Sequence, residues 1–309
     1  MLSRIAESLY WLGRYAERAE GTARILDVHY HLLLEDRLVD EEAACRSLMG
    51  VMGVPASDVP VTDSEALTAL LAFDRAYPGS IVSSLGGAWD TARSMREVVS
   101  SEMWECLNAM HVALPYEISA ARGQMPYRFF RWVKERAALL AGLSDSTLSR
   151  DDGWHLLVLG RSLERVDMTA RLLAARYDQS WGQGGWVATL RSCSAYEAYL
   201  RTYQRAVDGS LAVEFLVLDR LFPRSVYHAL ISAEGCLAAL DPRSERSGVS
   251  DTARRCLGLA RAELEFSSGA RLLDELPERL SRIQELCSQA GAAVSERYFR
   301  PAQVLEWSV

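Results

Sequence analysis

Apolar residues recur every three or four positions along most of the chain, the period of a helix with one buried face. The first stripe runs through Leu2, Ile5, Leu9, Leu12, Ala16, Ala19, Ala23 and Leu26 and predicts one long helix over 2–35. Arg14, Glu17, Glu20, Arg24 and Asp27 fall largely off that stripe. Shorter helices are expected over 41–53, ended by Gly53-Val54-Pro55, and over 63–73, capped by Thr62 or Asp63. After Ser80 the pattern runs on to about Leu114, where Pro115 should break it. A basic, aromatic helix is expected over 126–142, and a joint over 143–153. The second half then predicts a long helix over 153–178 and a loop over 180–185. Further helices are expected near 186–207, 210–221, 224–240, 249–268 and 275–298. No stretch alternates with the period of two that marks a strand. The expected fold is all-α, a bundle of long helices.

The plan repeats. Leu12-Gly13-Arg14 through Leu26 returns as Leu159-Gly160-Arg161 through Leu173 at a constant offset of 147. The retained positions are mostly charged: Arg14 with Arg161, Glu17 with Glu164, Arg18 with Arg165, Glu20 with Asp167, and Arg24 with Arg171. The turn from Phe73 to Ile81 is echoed from Leu218 to Val226, at an offset of 145. A weaker echo pairs Asp90-Thr91-Ala92-Arg93 with Asp251-Thr252-Ala253-Arg254, with an insertion that includes the polar loop 241–248. The expectation is one domain over 1–309 built from two halves, about 1–145 and 150–300, with pseudo-twofold symmetry. Glycine inside a helix costs about 1 kcal/mol relative to alanine, so its presence at both 13 and 160 points to close approach of another helix.

Composition narrows the function. A chain of 309 residues with 49% hydrophobic and 24% charged content has ample core for a globular protein. The net charge of −7 weighs against nucleic acid as a partner, because phosphate neutralisation needs a basic surface. No secretory pattern opens the chain, and no uncharged run approaches the roughly 20 residues that span a bilayer. The six scattered cysteines form no C-x-x-C pair, so a disulfide framework is not expected and a reducing cytoplasm is. Lys134 is the sole lysine among 34 basic residues. A Schiff-base mechanism is therefore not expected, and no Walker-type glycine motif is present. Nothing in the motifs calls for a cofactor.

The repeated charges are the candidate chemistry. Solvated ion pairs on one helix add only about 0.2–0.5 kcal/mol each, so an exposed stripe should drift faster than its apolar spacers. Here Tyr15 became Ser162 and Ala16 became Leu163 while the charges stayed. The expectation is a buried or semi-buried polar network between helices, either pinning helix register or forming a cleft. In the cleft reading Glu17 and Glu164 are the candidate catalytic carboxylates. Arg14, Arg18, Glu20, Arg24, Arg161, Arg165, Asp167 and Arg171 are then the candidate substrate-binding residues. No E-x-x-H pair occurs, so a histidine-based metal centre is not expected. A carboxylate-only magnesium site would face opposition from the interleaved arginines. Cys106 and His111, five apart on one expected helix, read as a core cysteine and a satisfied histidine rather than a dyad. The aromatic run 127–132 reads as packing, and the segment after Pro301 as an extended tail.

The stretch Met1 to Glu20, with Trp11-Leu12-Gly13-Arg14-Tyr15-Ala16-Glu17-Arg18-Ala19-Glu20 at its centre, closely resembles the start of the bacterial alpha-E domain family. Asp74-Arg75 with Pro78 and Ser80, then Arg93, Arg96, Glu102-Met103-Trp104 and Asn108, extend the likeness, as does Gly160-Arg161 with Glu164-Arg165. Asparagine is more usual in the family where this chain has Ser8, Gly21 and Thr91. The resemblance implies an all-helical protein encoded beside, or fused to, circularly permuted ATP-grasp ligases, often with a transglutaminase-like protease and sometimes a proteasome-like hydrolase. It implies an accessory component of a peptide- or amide-ligating system. Its partners would be an ATP-grasp-type ligase, a peptide or amino-acid ligand and the transglutaminase-like protease, with no nucleic acid and no membrane. The alternatives are an enzyme in its own right, using a repeat glutamate as general base, and a purely structural helical scaffold.

Overall fold

The computed structural model describes residues 2–35, 40–54, 61, 63–122, 125–177, 183–242, 248–267, 273 and 275–300. The alternative cap Thr62, the breaker Pro55, residues 180–182 and 243–247 of the two expected loops, and the tail beyond Arg300 lie outside these residues, whereas 183–185, expected as loop, are helical. Among the described residues all regular structure is helical. The helices are α1 (Ser3–Glu35), α2 (Glu41–Met52), α3 (Ser64–Thr68), α4 (Ile81–Ser94), α5 (Ser101–Ala121), α6 (Pro126–Thr147) and α7 (Asp152–Tyr177). They continue with α8 (Gln183–Ser192), α9 (Tyr196–Tyr203), α10 (Gly209–Leu218), α11 (Val226–Leu240), α12 (Thr252–Glu265) and α13 (Leu276–Val294). Single π-helical turns extend α3 over Ala69–Phe73 and α13 over Ser295–Phe299.

The ends of these helices follow from local chemistry. Asp40, Asp63 and Ser100 each accept a hydrogen bond from the backbone N–H three residues on, as N-caps do. Gly53, at φ 69°, closes α2 in the left-handed conformation that glycine adopts without penalty. The two echoed turns share one design. Ser80 Oγ donates to the Asp74 carbonyl and accepts from Ser83 N, while Ser225 Oγ donates to the Asp219 carbonyl and accepts from His228 N. Both serines are fully buried, so each hydroxyl has its partners within the turn.

Three expectations change. The apolar run after Ser80 is two helices rather than one, because Ser100 starts a new helix after a turn at 95–100. Pro115 does not end α5; it sits on the exposed face, where water can satisfy the carbonyl that its missing N–H leaves free. The stretch 186–207 is broken between α8 and α9 at Ser194, which takes φ 53°. The weaker sequence echo also has no common structure: Asp90 lies inside α4, whereas Asp251 is the N-cap of α12.

Two rings of four helices make the core. In one, α1 packs on α4, α4 on α5, α5 on α6 and α6 back on α1; in the other, α7, α11, α12 and α13 follow the same order. The rings share the α1–α7 contact, and the short helices cross over it: α2 packs on α7, while α8 packs on α1. The shared helices run parallel, Leu9 meeting Gly153, Glu17 meeting Arg165, and Gly21 meeting Met168. Their closest approach is at two glycines. A Cβ at Gly13 would collide with the backbone carbonyl oxygen of Leu157, and one at Gly160 with that of Tyr10. Each glycine therefore presents a Cα–H to a facing carbonyl, the weak contact that recurs where helices touch backbone to backbone.

Because carbonyl oxygens cannot rotate away as side chains do, Gly13→Ala and Gly160→Ala should each force α1 and α7 apart. A loss of about 1–3 kcal/mol is expected, as for other overpacked contacts. Gly50 lies within α2 with open space around its Cα, so Gly50→Ala should stabilise by about 0.5–1 kcal/mol. Urea unfolding of the three variants checks this; equal effects at 13, 160 and 50 would remove the case for backbone contact.

Candidate functional site

The parallel packing places the repeated charges against each other. Glu17, Glu20 and Glu164 are buried, although the helical stripe leaves Glu17 and Glu20 largely off the apolar face of α1. They are buried because α7 and the turn before α11 cover that side as well. Glu164 receives two arginines from α1: Arg14 Nε at 2.7 Å on one oxygen, and Arg18 in a fork, Nε at 2.6 Å and Nη2 at 3.0 Å. Glu17 receives Arg165 from α7, with Nε at 2.9 Å but not aligned as a hydrogen bond, and Arg224 Nη1 from the turn before α11. Glu20 accepts from Arg24 on its own helix at 2.5 Å and forms an ion pair with Arg224 at 2.8 Å. The Glu17–Arg165 and Glu164–Arg18 pairs are thus reciprocal between the two helices.

The remaining members are placed differently. Arg161, at the position equivalent to Arg14, does not reach Glu17; its nearest carboxylate is Asp145, at 3.7 Å. Asp167 pairs with Arg171 on α7 at 3.0 Å and accepts from Gln284 of α13 at 3.3 Å. Arg224 is the residue that sequence reasoning missed. It occupies the position in the second echoed turn where the first has Gly79, and at 79 a Cβ would stand 2.7 Å from the Tyr77 ring. A cation replacing a glycine within an echoed turn was the available signal.

Electrostatics favour the ionised forms of Glu164 and Glu20. Burial alone would raise the Glu164 carboxyl, but Arg14 and Arg18 outweigh it and hold the group below its usual range. Glu20 is lowered likewise, its burial outweighed by Arg224 and Arg24. Burial works to lower Arg14 and Arg224, yet the facing carboxylates leave both raised. Arg165 is lowered, by burial first and then by the neighbouring Arg224 and Arg161, in spite of Glu17. The seven arginines exceed the four carboxylates of the set, and most of them keep a solvent edge, with Arg14, Arg18 and Arg24 about one-fifth exposed.

A small cavity of about 20 Å³ lined by Glu17, Glu20 and Arg161 adjoins the network directly, and two larger spaces lie beside α1. A groove of about 600 Å³ lies between the C-terminal half of α1, α6 and α8, and Arg24 forms part of its wall. Lys134 of α6 spans it to Asp27 of α1, Nζ to Oδ2 at 2.5 Å. A smaller cavity of about 90 Å³, mostly apolar, lies between the ends of α1, α2, α7 and α8. His29 borders it, with Nε2 3.4 Å from Ser64 Oγ and 3.7 Å from Cys45 Sγ. Burial lowers the His29 imidazole to about 4, against the opposing effect of Glu41.

Other sequence candidates fall into the packing. Cys106 is buried with Sγ 4.0 Å from Met110 Sδ, and His111 stacks on Trp89 at 3.8 Å between ring centroids. All six cysteines are buried and free, with burial raising Cys193 to about 11 and Cys236 and Cys287 to about 12. Phe129 and Phe130 of the aromatic run are core residues. Among the described residues, no three His, Cys, Asp or Glu side chains come together as metal ligands would. No helix among them is long and apolar enough to cross a membrane.

An all-helical domain organised by buried Glu-Arg steps has a match among known families. Residues 1–299 match the Alpha-E family, described as a predicted alpha-helical domain with a conserved ER motif, and the chain belongs to that family. Among curated proteins it is similar to the uncharacterized proteins Mb2597 of Mycobacterium bovis and Rv2567 of Mycobacterium tuberculosis. Identity is 26% over 316 aligned positions in each case, covering 91% of this chain and 35% of the relative. The chain thus spans about a third of the length of those relatives. No solved structure matches it.

Removing one partner from a buried ion pair leaves an uncompensated charge. Glu164→Gln should therefore cost about 3 kcal/mol, at the lower end of the usual range because Arg14 and Arg18 retain some solvent. Exposed Glu42, paired with Arg46 on its own helix, should tolerate the same change within about 0.5 kcal/mol. Equal losses at both positions in chemical denaturation would contradict the network's structural weight.

The pH dependence has two limbs of the same sign. His29 is held neutral, so its contribution is full above about 6.5 and falls as pH drops towards 4, by about 3 kcal/mol. Glu164 and Glu20 have folded values below their unfolded ones, so their contribution is lost only as pH falls further, through those lower values. Thermal melting from pH 7 to 3 should show both limbs, and His29→Gln should flatten the first alone.

Proposed function

We propose that the chain is an accessory component of an ATP-grasp-associated peptide- or amide-ligase system, presenting a charged groove to a peptide or amino-acid substrate. Membership of the Alpha-E family supports this reading. So does the resemblance of Met1–Glu20 to proteins that accompany circularly permuted ATP-grasp ligases. The observation that carries it is Arg24, which belongs both to the buried network, through Glu20, and to the wall of the 600 Å³ groove. The volume suits a small ligand, and sites of that kind commonly lie between helices of bundles.

In this reading the network is the frame and the groove is the site. Glu17 and Glu164 each anchor two arginines, and Glu164, held below its usual range by Arg14 and Arg18, is a weak proton acceptor rather than a general base. The acyl-phosphate chemistry belongs to the ligase, and a transglutaminase-like protease is a second partner. The chain and a circularly permuted ATP-grasp ligase from the same organism are expected to co-elute, and adding the chain should raise amide-forming turnover. Lys134→Glu, which reverses the charge spanning the groove, should cut that stimulation at least tenfold while co-elution persists. A chain that neither co-elutes nor alters turnover would overturn the reading.

A further inference from the structure

The charges of the groove are not all compensated among the described residues. Arg24 is tied to Glu20, and Lys134 to Asp27. Arg191 of α8 also lines the groove, and among the described residues it has no carboxylate partner; it lies over the Tyr196 ring, 5.3 Å from its centroid. Glu35, the last residue of α1, lines the same groove and has no cationic partner among those residues. Among the described residues, therefore, a cation and an anion without oppositely charged partners border one space, on different helices. The surface around them is aliphatic: Val28 and Leu32 from α1, and Val187 from α8.

These features select a ligand class. A polyanion such as a nucleic acid or a nucleotide would meet Asp27 and Glu35, and a simple cation would meet Arg24, Lys134 and Arg191. A zwitterion satisfies both unpaired charges at once. Arginine's planar fork accepts a carboxylate through two parallel hydrogen bonds, whereas an ammonium needs only a nearby carboxylate. We propose that the groove binds a free amino acid or short peptide as a zwitterion, its carboxylate on Arg191, its ammonium on Glu35, and its side chain against Val28, Leu32 and Val187. This rests on the reading of the groove as the ligand site, and it adds the two ends and their receptors.

Calorimetric titration of the intact chain tests it, using L-alanyl-L-leucine, its C-terminal amide, its N-acetyl derivative and inorganic phosphate. The free dipeptide should bind at least tenfold more tightly than either blocked form, and phosphate should not compete. Arg191 and Glu35 are exposed, so Arg191→Gln and Glu35→Gln should fold normally. Arg191→Gln should abolish the preference for the free carboxylate, and Glu35→Gln the preference for the free amine. Equal affinity for the amide and the free acid, tighter binding of phosphate than of dipeptide, or no dipeptide binding at millimolar concentration would each overturn the proposal. Dipeptide binding without any interaction with the ligase would sink the accessory role and leave this proposal standing. Ligase stimulation without dipeptide binding would do the reverse.

Discussion

The backbone contact between α1 and α7 is the constraint on which the rest depends. Two parallel helices come this close only where a side chain is missing, and Gly13 and Gly160 supply that gap at matched points. The contact sets the register. With it set, Glu17 must face Arg165 and Glu164 must face Arg18, one turn further along. It also sets the depth, for carboxylates this near the axis of the molecule lose water and require paired cations to remain ionised.

The network then does what apolar packing alone would not. Hydrophobic contacts tolerate sliding by a turn, whereas an arginine fork on a buried carboxylate does not. Replacing buried ion pairs by well-packed apolar residues is often neutral for stability, so specificity of register is the better account of why the pairs are buried at all. Arg224 extends this account to the second ring, because one guanidinium joins Glu17 and Glu20 of α1 to the turn that starts α11.

Much of this was legible in the sequence. The long helices at 3–35 and 152–177 follow from period and composition, and the glycine pair with its retained charges pointed to a close, polar helix contact. What periodicity did not reveal was the break at Met95–Ser100, since the apolar rhythm continues across it while a serine cap restarts the helix. Pro115 misled for the opposite reason, because its cost depends on which face it occupies. The pairing partners were also out of reach. Arg14 and Glu17 look like neighbours on one helix, yet Arg14 crosses to Glu164, and Arg161 finds Asp145 instead of repeating that bond. The groove with Lys134 and Arg191 comes from three separate helices, a juxtaposition that local pattern does not encode.

The crossing of the short helices has a consequence for how the chain acquires its shape. With α2 resting on α7, and α8 resting on α1, each half carries a latch that belongs to the other. As the polypeptide emerges, α1 has neither its glycine-matched neighbour nor the arginines for Glu17 until residues well beyond 152 are made. The charged face of α1 therefore finds its partners more than a hundred residues downstream. Contacts of such separation slow assembly and bind its parts into one cooperative event.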